Sequence, residues 1–95
     1  MDRKDHWIHK LTTDLRDEAL PGVPVLELAG DRRVLIECHY GVSEYGPEQI
    51  GIKVKYGVIT VTGSGLRLAQ MCRERVVISG TIDAIRLTRR NNNGK

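Results

Sequence analysis

Gln49-Ile50-Gly51-Ile52-Lys53-Val54-Lys55-Tyr56-Gly57-Val58-Ile59-Thr60-Val61-Thr62-Gly63, residues 49–63, is the stretch on which the fold turns. Ile50, Ile52 and Val54 alternate with Gly51, Lys53 and Lys55. A period of two belongs to a strand with one face on a core and the other in water. Similar runs recur at Val25–Ala29, Arg33–His39, Val58–Thr62, Leu66–Met71, Arg75–Ser79 and Thr81–Leu87. Gly30-Asp31, Tyr40-Gly41, Tyr56-Gly57, Gly63-Ser64-Gly65 and Gly80 fall between these runs and read as turns. Charge in the segment from Ala69 to Arg75 leaves the strand over 69–72 open to a loop reading. The pattern predicts an all-β fold, a small sandwich, roll or barrel of about 7–8 short, mostly antiparallel strands.

His39-Tyr40-Gly41-Val42 returns sixteen positions later as Lys55-Tyr56-Gly57-Val58. Glycine supplies the positive φ of a tight hairpin and a neighbouring tyrosine can pack its ring on the sheet, so the duplication reads mainly as turn chemistry. Two copies fall short of an array.

Working outward, the period changes to that of a helix between Asp5 and Ala19. Trp7, Ile8, Leu11, Leu15 and Ala19 form one narrow apolar stripe. Pro21-Gly22-Val23-Pro24 stops it, because proline cannot continue a helix. The stripe could fold back on the domain, the favoured reading, or lie on a neighbouring subunit. Three parts are expected: a short N-terminal amphipathic helix over 1–20, a β domain over 21–88 and a basic, Asn-rich flexible tail over 89–95.

Ninety-five residues make one small domain, able to bury roughly 60–65% of its unfolded surface. No apolar run approaches the ~20 residues that span a bilayer, and no signal-peptide core is visible, so a cytoplasmic protein without direct membrane insertion is expected. Cys38 and Cys72 are the only cysteines. Without a secretion signal they read as reduced, half-buried thiols.

Residues suggestive of chemistry do not assemble into a site. In Glu37-Cys38-His39, strand alternation puts Cys38 with Val34 and Ile36, and Glu37 and His39 on the other face, so the thiol lacks a base. Glu44 and Glu48 flank a corner at Tyr45-Gly46-Pro47 and lack a third oxygen-rich neighbour. Glu48 could instead satisfy backbone donors around that corner. His6 and His9 lack a third metal ligand. No phosphate-cradling or zinc-protease motif occurs. The chain is therefore expected not to be an enzyme, and no cofactor or metal is expected.

Charge is uneven. Arg86, Arg89, Arg90 and Lys95 crowd the last ten residues among Asn91-Asn92-Asn93-Gly94. This is either a frayed, solvated terminus or a basic arm for nucleic acid or an acidic partner. Lys53 and Lys55, with Arg67 and Arg75, could share an exposed sheet face. Three tyrosines, one tryptophan and no phenylalanine make a poor stacking platform, so nucleic acid is the weaker expectation.

From Arg33 to Leu68 and from Val76 to Leu87 the sequence resembles the YabP/YqfC family of sporulation proteins, its YqfC branch most closely. The resemblance lies in an ordered series: Gly30, an apolar strand closing on Ile36-Glu37, Gly41-Val42, the corner Glu44-Tyr45-x-Pro47-Glu48, and the alternating Ile50 and Ile52. The series continues through Gly57, Val58, Ile59, Val61 and Gly63 to Leu66 and Leu68, and closes with Ile78-x-Gly80-x-Ile82 and Ile85. The resemblance implies a role in endospore formation, in the mother-cell cytoplasm or at the forespore surface. It transfers no catalytic residue. Gly41, Glu44, Tyr45, Pro47, Glu48, Gly57, Gly63 and Gly80 are then architectural.

Two functions are expected in that order. The first is a structural or interaction protein that self-associates or docks on another sporulation protein, through strand edges and the Trp7, Ile8, Leu11 and Leu15 stripe. The second is a small nucleic-acid-binding module using Lys53, Lys55, Arg86, Arg89 and Arg90.

Overall fold

The computed structural model describes residues 23–90. The expected N-terminal helix, with His6 and His9, lies outside them, as do the last five residues of the tail. Six strands follow one another: β1 (Val25–Ala29), β2 (Arg33–Glu37), β3 (His39–Tyr45), β4 (Gln49–Val54), β5 (Gly57–Met71) and β6 (Arg75–Arg89). They form one sheet of order β1-β2-β6-β5-β4-β3. Every neighbouring pair is antiparallel.

The all-β antiparallel class agrees with the sequence reading, but the strand count differs for a physical reason. Gly63-Ser64-Gly65 and Gly80 are not turns between short strands. They sit within two strands of fifteen residues each. The ladder slips between Thr62 and Gly63 and again between Ser64 and Arg67, opposite Gly80. These slips are β-bulges, which bend a strand rather than end it.

At the bend the ribbon β5–β6 folds in two. Its first half pairs residues 57–62 with 84–89, and its second pairs 67–71 with 76–79. β4 adds only to the first half of β5, and β2 only to the first half of β6. The two halves thus become two layers, β1-β2 with the hairpin end and β3-β4 with the open end. The flanking turns hold the fold line. Gly63 and Leu66 donate their amides to the carbonyls of Glu48 and Pro47, at 3.1 and 2.8 Å. Gly80 and Ile82 donate to Arg32 and Asp31, at 3.1 and 2.8 Å.

Between the layers lies one core. Val34 and Ile36 of β2, Val76 and Ile78 of β6, Ile50, Ile52 and Val54 of β4, and Ile59, Val61 and Leu66 of β5 are buried in one cluster. The alternation read at 49–55 holds, with Ile50, Ile52 and Val54 inside and Lys53 exposed.

The link between β2 and β3 is a single residue, Cys38, at φ 63°. β2 is second in the sheet and β3 is the far edge strand. Strands joined by one residue lie only a few ångströms apart at their ends, so the sheet must curl until its flanks meet. The thiol therefore does not continue the Val34–Ile36 row; it is half-buried at the corner.

The sequence pattern over β3 reads as a turn and a corner rather than a strand. Tyr40-Gly41 lies inside β3, where the register slips between His39 and Gly41, with a second slip between Val42 and Glu44. Two bulges in seven residues erase the alternation by which a strand is recognised. The second Tyr-Gly copy does lie at a hairpin, closed by the pair Val54 and Gly57 around Lys55-Tyr56. Gly57 is there for close approach as well: a Cβ would overlap the Thr88 carbonyl oxygen of β6.

Candidate interaction surface

Backbone edges come first, because the folded ribbon leaves them open. β2 accompanies β6 only over 75–79, so beyond Ile82 the outer edge of β6, residues 83–89, has no partner strand among the described residues. The outer edge of β5 over 67–71 is likewise unaccompanied. Exposed edges are templates for an added strand. Leu87, 46% exposed, and Met71 place apolar surface on these same segments. Edge strand β3 is blunted by its two bulges.

The basic residues come second. Cross-strand partners share a face, so the rows Lys53–Val58–Thr88 and Gly51–Thr60–Arg86 put Lys53 and Arg86 together on the outer face of the β3-β4 layer. Lys55 and Tyr56 form the hairpin beside them, and the Arg90 amide donates to the Tyr56 carbonyl at 2.7 Å. Arg89, paired with Gly57, points to the opposite face. Four of the five candidate nucleic-acid contacts therefore gather at one end, and Arg89 lies on its rim. Arg67 and Arg75 do not join Lys53. Their partners Ser79 and Glu37 put them on the outer face of the other layer. Tyr40 and Tyr56 are exposed at 62% and 38%, rather than packed flat on the sheet.

The corner residues and His39 make contacts close to the fold line and the hairpin ends. The Glu44-Tyr45-x-Pro47-Glu48 corner closes the β3–β4 hairpin and is pinned to the fold line through its main-chain carbonyls, not through the Glu48 side chain. Glu44 Oε1 accepts from Gln49 Nε2 at 2.9 Å. His39 is committed at both ring nitrogens: Nε2 lies 2.7 Å from the Cys72 carbonyl oxygen, and Nδ1 accepts from the Gly41 amide at 3.0 Å. With the Cys38 amide bonded to the Glu74 carbonyl at 3.3 Å, His39 ties the β5–β6 hairpin tip to the β2–β3 corner. Sequence reasoning missed this role, since the imidazole bridges positions distant in the chain. Trp7, Ile8, Leu11 and Leu15 lie outside the described residues. Among those residues, no helix is long and apolar enough to cross a membrane.

Comparison with known proteins follows the fold closely in extent. The model of the YabP family matches residues 23–94. YqfC, an uncharacterized protein of Bacillus subtilis (strain 168), is 20% identical over 84 residues, covering 88% of this chain and 89% of the relative. No solved structure matches.

Proposed function

The chain belongs to the YabP family, and from that premise we propose a sporulation-associated, non-enzymatic interaction protein that assembles with copies of itself or docks on another sporulation protein in the mother cell. The observation that carries the reading is the unaccompanied outer edge of β6 over residues 83–89, with Leu87 exposed beside it. A strand laid along that edge would gain main-chain hydrogen bonds and cover apolar surface at once. The commitment of both His39 nitrogens to backbone groups supports the non-enzymatic side, because it occupies the imidazole that follows Cys38 in the chain.

Size-exclusion chromatography with light scattering on the untagged chain tests it, alone and with a sporulating-cell extract. Wild type is expected in a larger species. Ala84→Lys with Thr88→Lys, which adds charge along the edge as natural edge strands do, is expected to reduce it to monomer. A monomer in every condition, or a variant that assembles like wild type, overturns the reading.

A second reading is favoured by the gathering of Lys53, Lys55, Arg86 and Arg90 beside the exposed Tyr56. It predicts bound nucleic acid at low salt, released with a slope near one log unit per log unit of salt for each phosphate contacted. Absorbance at 260 and 280 nm across the same column separates the two.

A further inference from the structure

The strand that fits the open edge of β6 is written in β6 itself. Arg90 turns its amide toward β5, donating to the Tyr56 carbonyl at 2.7 Å. The Ala84 carbonyl faces the same way, 3.4 Å from Thr62 Oγ1. Main-chain groups alternate in direction along an antiparallel strand, so positions 84, 86, 88 and 90 bond toward β5. Ile85, Leu87 and Arg89 therefore turn their N–H and C=O groups outward, where no strand accompanies them among the described residues.

The side chains of Ile85 and Leu87 lie on the inner face, each at the end of a cross-strand row. One row is Ile50–Val61–Ile85 and the other is Ile52–Ile59–Leu87. Ile50, Ile52, Ile59 and Val61 are buried, whereas Ile85 is half-buried and Leu87 exposed. Both apolar rows stop at the edge with their last member still partly in water.

We infer that a second copy of this chain completes the edge, its β6 antiparallel to the first about a two-fold axis at Arg86. This rests on the reading of the β6 edge as the contact surface. Register is the argument. Outward groups meet outward groups only where odd positions oppose odd positions, which leaves centres at Ile85, Arg86 and Leu87. Centring on Ile85 sets Asp83 against Leu87, and centring on Leu87 sets Ile85 against Arg89. Both place a charge opposite an apolar side chain. Centring on Arg86 sets Ile85 against Leu87 of the second copy, and Leu87 against its Ile85, with the whole open segment overlapped. The row Ile50–Val61–Ile85 then runs on into Leu87, Ile59 and Ile52 of the second copy.

Charge agrees at the two ends. Asp83, the extra residue of the bulge between the pairs Thr62–Ala84 and Gly63–Ile82, comes opposite Arg89 of the second copy, and symmetry repeats the pair. Both residues are exposed, within reach of a partner. The adverse pair is Arg86 facing its own copy, on the wet outer face where like charges repel only modestly. The product is one continuous sheet of order β3-β4-β5-β6-β6-β5-β4-β3. Its seam, about 23 Å long, is small beside standard interfaces of about 1,600 Å², so the dimer forms reversibly as concentration rises.

Sedimentation equilibrium of the full chain at low salt, where exposed charges are least screened, tests this. Wild type is expected as a reversible dimer. Arg86→Glu exchanges one self-repelling pair for another and is expected to dimerise about as wild type does. An equal mixture of the two opposes unlike charges at the axis, so it should hold more dimer than either protein alone at the same total concentration. Asp83→Arg is expected to weaken association about tenfold. Adding Arg89→Asp to the same chain should restore it, because each exchanged residue meets the other across the axis. A mixture that behaves as the average of its components, or a double variant no better than Asp83→Arg, overturns the inference. So does a chain that stays monomeric alone and enters a larger species only with cell extract. In that case the edge reading stands, with a different protein as the occupant.

Discussion

Replacing Gly80 by alanine probes the fold line where the ribbon doubles over. Gly80 holds φ +141°, a conformation side chains rarely adopt, and its Cβ would meet the Gly65 carbonyl oxygen at 2.7 Å and Leu66 Cα at 2.9 Å. Both neighbours are backbone, so they cannot swing aside as a side-chain tip would. A sparsely populated φ costs about 1–3 kcal/mol. Separating the strands also strains the Gly80 amide bond to the Arg32 carbonyl, worth about 1 kcal/mol. The sum is about 3 kcal/mol, a large share of the ~5–15 kcal/mol that holds a domain of this size. Gly65→Ala is the internal control. Gly65 is at φ +61° with nothing within 4 Å of a Cβ, so it pays only the left-handed conformation, about 1–2 kcal/mol. At roughly 4–8 °C per kcal/mol for a small domain, thermal melting by circular dichroism should separate the pair, with Gly80→Ala losing about 12 °C or more. Equal losses, or a greater loss for Gly65→Ala, would refute the close-approach account of the bend.

Other substitutions address the core, the corner and its clamp. Ile78→Ala should cost about 3–4 kcal/mol, and Ile36→Val about 1 kcal/mol, in urea titrations, since both side chains are fully buried in the shared cluster. His39→Ala removes the link from Cys72 to Gly41 and should cost about 1–2 kcal/mol. His39→Gln, which keeps an acceptor and a donor, should recover part of that loss in the same titration. At Cys38, held at φ 63°, glycine should be better tolerated than valine by about 1–2 kcal/mol. A preference for valine in paired melts would contradict the left-handed corner.

How much of this was legible depended on what each residue could signal alone. Ile50, Ile52 and Val54 announce their strand because hydrophobic alternation is local. Gly63 and Gly80 were equally visible as departures from regular strand, but a glycine marks a turn and a bulge in the same way. Only the backbone across the ladder, Thr81 beside Gly63 and Leu66 beside Gly80, decides between them. β3 was hidden because its bulges at Tyr40 and Ser43 break the period. The gathering of Lys53, Arg86 and Arg90 needed the register of three strands. The open edge of β6 needed knowledge of where β2 stops.

The single-residue passage at Cys38 has a kinetic side. The β1–β2 hairpin and the β3–β4 hairpin belong to different layers, yet they are tied together with almost no slack. Once one hairpin has zipped onto its half of the ribbon, the other is held beside its own half at a high effective concentration, with little loop-closure entropy left to lose. The two layers should therefore form and dissolve as one cooperative unit. Assembly along the β6 edge would then begin from a domain that is already whole.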